Sequence, residues 1–160
     1  MKKLVYLFVS ILMAAATSCG TKSDAETEKK LDGTWVSTES ENEDGVTMRY
    51  NETLILDAST HEFDQTLTLS AYAYGEYMSL GTVKLIGKWT ASKKEINFDF
   101  SEDDIDINLD KDLLSEMGGK DEVIKEIMKA NGIMSIVKVS GFTLVLKDDD
   151  GEKTEYTHCD

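Results

Sequence analysis

Two histidines, two cysteines and one run of acids are the residues in this chain whose types could do chemistry. His61 follows Ser59-Thr60 and precedes Glu62, whereas His158 lies far away in sequence. A serine–histidine–acid relay can be drawn through such residues. A general base, however, works only within hydrogen-bond reach of the proton it takes. No G-x-S-x-G, H-E-x-x-H, C-x-x-C or P-loop pattern nominates such a group. The run SEDDIDINLDKD invites a calcium test. A helix–loop–helix calcium loop needs Gly at its sixth position and Glu at its twelfth. Counted from Asp106 these positions are Lys111 and Met117; counted from Asp104 they are Leu109 and Ser115. Both frames fail, and the alternating Asp residues read as a solvated strand face. The expectation is a chain with no catalytic residues, no metal ligands and no cofactor, and hence not an enzyme.

The large apolar residues are the stronger lead. Trp35, Trp89, Phe98 and Phe100 share the apolar phase of their segments with Leu67, Leu69, Leu85 and Ile96. These eight are the candidate ligand-binding residues. To converge they must be held on strands whose side chains alternate between two faces.

The chain has that alternation. VTMRYNETLILDAS sets Met48, Tyr50, Leu54 and Leu56 against Arg49, Asn51, Thr53 and Asp57, the period of two of a half-buried strand. TLTLSAYAY, TVKLIGKW, EINFDF and DIDINLD repeat it, with THEFDQ as an interruption and GEYMSLG as a loop. Over 111–131 the period changes to three and four, through Leu113, Leu114, Met117, Val123, Ile124, Ile127 and Met128. This predicts a helical insert, N-capped at Asp112 and Asp121 and split at Gly118-Gly119. IMSIVKV, FTLVLK and EKTEYTH close the chain as strands. Eight or nine short strands with tight turns predict a mainly β fold. It is either an antiparallel up-and-down barrel or a strongly curved meander, with one helical insert. The interior of an eight-stranded barrel is either filled by side chains or just wide enough for one small ligand, and both remain open here. Tyr72, Tyr74 and Tyr77, with Met78, sit where exposure would make a protein or glycan contact surface.

The N-terminus supplies an address. MKK, the apolar run Leu4–Ala16 and the small residues that follow read as a secretory signal peptide; the run is short of the roughly 20 residues a membrane span needs. Ala16-Thr17-Ser18-Cys19 resembles the lipobox of bacterial lipoproteins, with Ala16 where Leu is commoner. That resemblance implies a signal peptide over 1–18, lipidation at Cys19 and a membrane partner reached through the lipid. The alternative is cleavage at Ala14-Ala15-Ala16, which leaves Cys19 free to pair with Cys159. Residues 19–30 read as a flexible polar tether, since they lack aromatic and β-branched aliphatic residues. Residues 31–160 then form the domain. The net charge of −14 becomes −16 once Lys2 and Lys3 leave with the signal, which excludes nucleic acid as a partner held through its phosphates.

Leu31-Asp32-Gly33-Thr34-Trp35 and the later Gly87-Lys88-Trp89 resemble the G-x-W signature of lipocalins. With the lipobox, the tether and the terminal FTLVLKDDDGEKTEYTH, the layout is similar to the small lipocalin-like lipoproteins of Bacteroidetes, whose last hairpin has the form TLxLxDxDGxxxxYxR. The resemblance covers 31–158. It implies a lipocalin-like barrel anchored in the cell envelope, at the outer membrane, facing the periplasm or the surface. The resemblance implies no particular ligand; the expected partner, a small apolar ligand or an envelope protein, follows from the apolar residues above. Two departures stand out: His158 replaces the Arg that in lipocalins caps the Trp, and the helical insert precedes the last strands rather than following them.

Overall fold

The alternation read from the chain becomes the wall of a barrel. The structure, a computed structural model, describes residues 23–43, 45–129 and 132–159. Among them are helix α1 (Ala25–Leu31), strands β1 (Gly33–Glu43), β2 (Val46–Asp57), β3 (Glu62–Ala73), β4 (Glu76–Ala91), β5 (Glu95–Asp99) and β6 (Ile105–Leu109). Helices α2 (Lys111–Glu116) and α3 (Lys120–Lys129) follow, then β7 (Ile133–Val139), β8 (Thr143–Lys147) and β9 (Lys153–Cys159). Every pairing is antiparallel, and the ring runs β1-β2-β3-β4-β5-β7-β8-β9 and back to β1. This is a closed eight-stranded up-and-down barrel with β6 outside the ring. Closure removes the edges of the ring itself, while β6 pairs with β4 alone.

β6 continues the line of β5 along β4. Lys88 faces Asp99 while Leu85 faces Ile105; the partner chain thus advances six residues while β4 advances three. The excess is a one-turn 3-10 segment, Glu102–Asp104, tied by Ser101 Oγ donating to Asp104 Oδ2 at 2.7 Å. The seams differ in length. β1 and β2 pair from Gly33 to Glu43, whereas β1 meets β9 through Thr34, Trp35 and Val36, and β5 meets β7 through Glu95, Ile96 and Asn97.

Inward positions form one apolar cluster from Leu31 to Tyr156 that includes Met117, Val123 and Ile127 of the helical insert. Burial of each such Leu, Ile, Phe or Met stabilises the fold by roughly 1.5–3 kcal/mol. The insert does split at Gly118-Gly119, both at positive φ. Its first cap is Asp110 rather than Asp112: the Asp110 carboxylate accepts from the backbone N–H groups of Asp112 and Leu113.

Two expectations about local structure are corrected. GEYMSLG is not a loop; β4 starts at Glu76 and pairs with β3 from Ala73 and Tyr72 onward. The turn is just Tyr74-Gly75, both at positive φ, the two-residue hairpin whose twist suits flanking strands. The expected flexible tether over 19–30 is not flexible throughout, because Ala25–Leu31 is helical and buries Thr27, Glu28 and Leu31. Asp24 caps it, acids occupy its first turn and Lys29 and Lys30 its last, an order that suits the helix dipole.

Candidate functional site

The eight candidate residues come together. Trp35, Leu67, Leu69, Leu85, Trp89, Ile96 and Phe98 lie on β1, β3, β4 and β5, and Phe100 just past β5; all eight are buried in the same cluster. At the α1 end, the Trp35 indole N–H donates to Leu31 O at 2.8 Å, and Phe63 meets Phe98 edge to face at 5.0 Å. The Trp89 indole N–H reaches Asp57 O at 3.3 Å.

Both glycines of the two G-x-W stretches have a steric reason. Gly33 has φ +125°, and a Cβ there would come within 2.4 Å of His158 Nε2. The space lets the His158 ring stand edge-on to Trp35, with centroids 4.8 Å apart. His158 therefore covers Trp35 in the place where Arg would be expected. A Cβ on Gly87 would meet Asp99 O at 2.4 Å and Phe63 Cε1 at 2.8 Å.

Helix α1 is latched over this end by Glu28. Its Oε1 accepts from Ser23 Oγ (2.8 Å) and from the Ala91 N–H (3.1 Å), and its Oε2 lies 3.2 Å from His61 Nε2. Burial pushes the Glu28 carboxyl up, but these bonds outweigh it and hold it below the usual range.

The middle of the barrel contains residues that the sequence reading passed over. Glu52 lies on the inward phase of β2, between Tyr50 and Leu54, and is 2% exposed. Its Oε1 accepts from Gln65 Nε2 on β3 at 2.5 Å and from Tyr156 Oη on β9 at 2.8 Å. Glu52 Oε2 and Gln65 Oε1 are buried and have no hydrogen-bond partner among the described residues. Burial drives the Glu52 carboxyl up to about 7, against the two hydrogen bonds and with a further push from Glu39. Tyr156 is held well above its ordinary value by burial and by Glu52. The signal was present in the period of two: positions 52 and 65 are polar residues on otherwise apolar phases.

Concavities on the described surface open to the outside. One of about 850 Å³ is lined by Ile55, Ile86, Gly87 and Phe100 among carboxylates. Four of those carboxylates are engaged: Glu62 with Lys88 at 2.8 Å, Asp64 with Lys84 at 2.7 Å, Asp57 with the Ser59 and Thr60 N–H groups, and Asp104 with Ser101. Another, about 480 Å³, lies between Lys29, Trp35, Gly141 and His158. Among the described residues, no group of three or more His, Cys, Asp or Glu is placed to hold a metal ion.

At the far end the β3–β4 hairpin displays its aromatics. Tyr74 is 99% exposed, Tyr72 and Tyr77 meet edge to face at 5.1 Å, and the Arg49 guanidinium lies 3.5 Å over the Tyr77 ring. Cys159 is exposed and has no disulfide partner among the described residues, and Cys19 lies outside them. No protein-family model matches the chain, and no curated protein matches it.

Proposed function

We propose that this chain is a lipid-anchored, lipocalin-like protein of the cell envelope that binds a small, mainly apolar ligand within its barrel and catalyses no reaction. The observation behind the binding role is the polar group at the centre of the barrel. Burying a carboxylate costs several kcal/mol unless it is fully hydrogen-bonded. A solid core gains nothing from Glu52 and Gln65 with an oxygen each left over; a binding site does, because the ligand completes the set. Apolar walls with a few placed polar groups are what small-molecule sites use. Anchoring rests on Cys19, with a diacylglyceryl group meeting the requirement for more than one chain.

Native mass spectrometry of the purified protein tests the binding role. The expected result is a bound mass of a few hundred daltons, lost on denaturation or regained on incubation with amphiphiles. A bare mass after that incubation overturns it. Cys19→Ala tests the anchor: the protein should leave the membrane fraction.

A second reading has its own support. The Tyr72–Tyr74–Tyr77 hairpin, with Met78 half exposed, suits a protein or glycan contact, since exposed aromatics anchor interfaces. Tyr74→Ala with Tyr77→Ala should then abolish capture of a partner while ligand uptake stays intact.

A further inference from the structure

We infer that the barrel's ligand carries a hydrogen-bond-donating cationic head, a primary ammonium on an apolar body, seated at Glu52 Oε2 and Gln65 Oε1. This rests on the binding role proposed above and names the chemistry of that site.

Both oxygens left over at the centre are acceptors. The Gln65 amide and the Tyr156 hydroxyl each give a hydrogen bond to Glu52 Oε1, so the two oxygens left over call for donors rather than for more acceptors. A ligand carboxylate or ketone would bring more of what is already in excess, and would face Glu52 at close range.

Charge narrows donor to cation. Among the described residues the buried charged side chains are Glu28, Glu52 and Asp148, with no buried Lys or Arg. Glu39 adds its own negative influence on Glu52 from β1. With no buried cation among the described residues, Glu52 is balanced either by its own proton or by a cation brought from outside. An ammonium has three donors, enough to serve both oxygens, and its charge would hold the Glu52 carboxylate ionised. The net charge of −14 also raises the local concentration of cations around the molecule.

The apolar body has its wall beside this seat. Leu67 faces Glu52 across the β2–β3 ladder, and Leu54 and Leu85 face Gln65 from either side; all three leucines are buried. A head at Glu52 therefore places a chain against leucine.

The test is a series of one chain length with three heads: dodecylamine, dodecanol and dodecanoate, titrated below their aggregation limits into the purified protein at pH 8. The quenching of tryptophan emission and native mass spectrometry are the readouts. Dodecylamine should bind at least tenfold more tightly than dodecanol, and dodecanoate most weakly. Glu52→Gln, close to isosteric, should bring the affinity for the amine down to that for the alcohol. Equal binding of all three heads, or a preference for dodecanoate, overturns the cationic head and leaves the apolar-ligand role standing. No binding of any head overturns both. An amine preference that survives in folded Glu52→Gln also overturns the assignment, because it places the head elsewhere. If Glu52→Gln does not fold, the three-head series on the unaltered protein still decides.

Discussion

Glu28 and Glu52 are both nearly buried, at 5% and 2% exposure, and the fold treats them in opposite ways. At the α1 end, each Glu28 oxygen has a partner: Ser23 and Ala91 on one, His61 on the other. At the centre of the barrel, one Glu52 oxygen takes two bonds and the other takes none. The consequences run in opposite directions. Glu28 is held below the ordinary carboxylate range and Glu52 is raised to about 7. A buried charge with all its partners fastens one piece of structure to another; one with an oxygen left over keeps part of its desolvation cost. The same contrast extends to the surroundings. The α1 end has two tryptophans and packed phenylalanines, and the centre mixes leucine with Gln65 and Tyr156.

The largest expected effect comes from breaking the packed end. Trp35→Ala should cost about 3–5 kcal/mol, read from urea denaturation, because it empties the space beneath Leu31 and His158. A loss below about 1 kcal/mol would mean that this end is not the core.

Next is the pH dependence that separates the two glutamates. The Glu52 carboxyl is raised in the folded state, so its stabilising contribution is complete below the unfolded value near 4.5 and is lost as pH rises through about 7. The loss amounts to roughly 3 kcal/mol at 1.36 kcal/mol per unit. The difference in stability between the wild type and Glu52→Gln, followed from pH 4 to pH 8.5, should show this slope in favour of the variant at high pH. A flat difference would mean that Glu52 is solvated.

Glu28 has the opposite sign. Its carboxyl is lowered, so its contribution is present above the unfolded value and is lost as pH falls through the folded one. Glu28→Ala should cost about 2 kcal/mol at pH 7, since it strands the Ala91 N–H, and the penalty should shrink on acidification. Thermal melts at pH 7 and pH 4 measure both.

Leu69→Trp should cost about 1 kcal/mol through overpacking and should abolish ligand uptake. A folded variant that still takes up dodecylamine removes the barrel interior as the binding site. Smallest of all, Tyr74→Ala should shift stability by less than about 0.5 kcal/mol, because this side chain is 99% exposed.

Much of this architecture was legible in the sequence. The period of two located the strands, and the shift to three and four located the helical insert, because the alternating faces are buried on one side only. The eight apolar candidates converge for the same reason. What escaped is instructive. Glu52 and Gln65 were skipped because a polar residue on an apolar phase looks like a break in the pattern, although it keeps strict register. Helix α1 escaped because its composition is that of a solvated linker; only the cap at Asp24 and the order of its charges betray it, and its tertiary contacts, the Asp24 and Glu28 bonds to Ala91 and the burial of Leu31, make so short a helix stable. The Tyr74-Gly75 turn escaped because a non-glycine residue at positive φ is uncommon.

The short seam between β1 and β9 also sets an order of events in time. It joins Thr34 to Cys159, a separation of 125 residues, whereas the β1-to-β4 meander forms from neighbours in the chain. Contacts that span such distances are slow to form because the loop must close before they are rewarded. The ring thus shuts only after the last strand has arrived, and Tyr156, which reaches Glu52 from that strand, is absent until then. A nascent chain can fold its long hairpins early. The central carboxylate acquires its fixed geometry only at the final step, when the two ends of the domain meet.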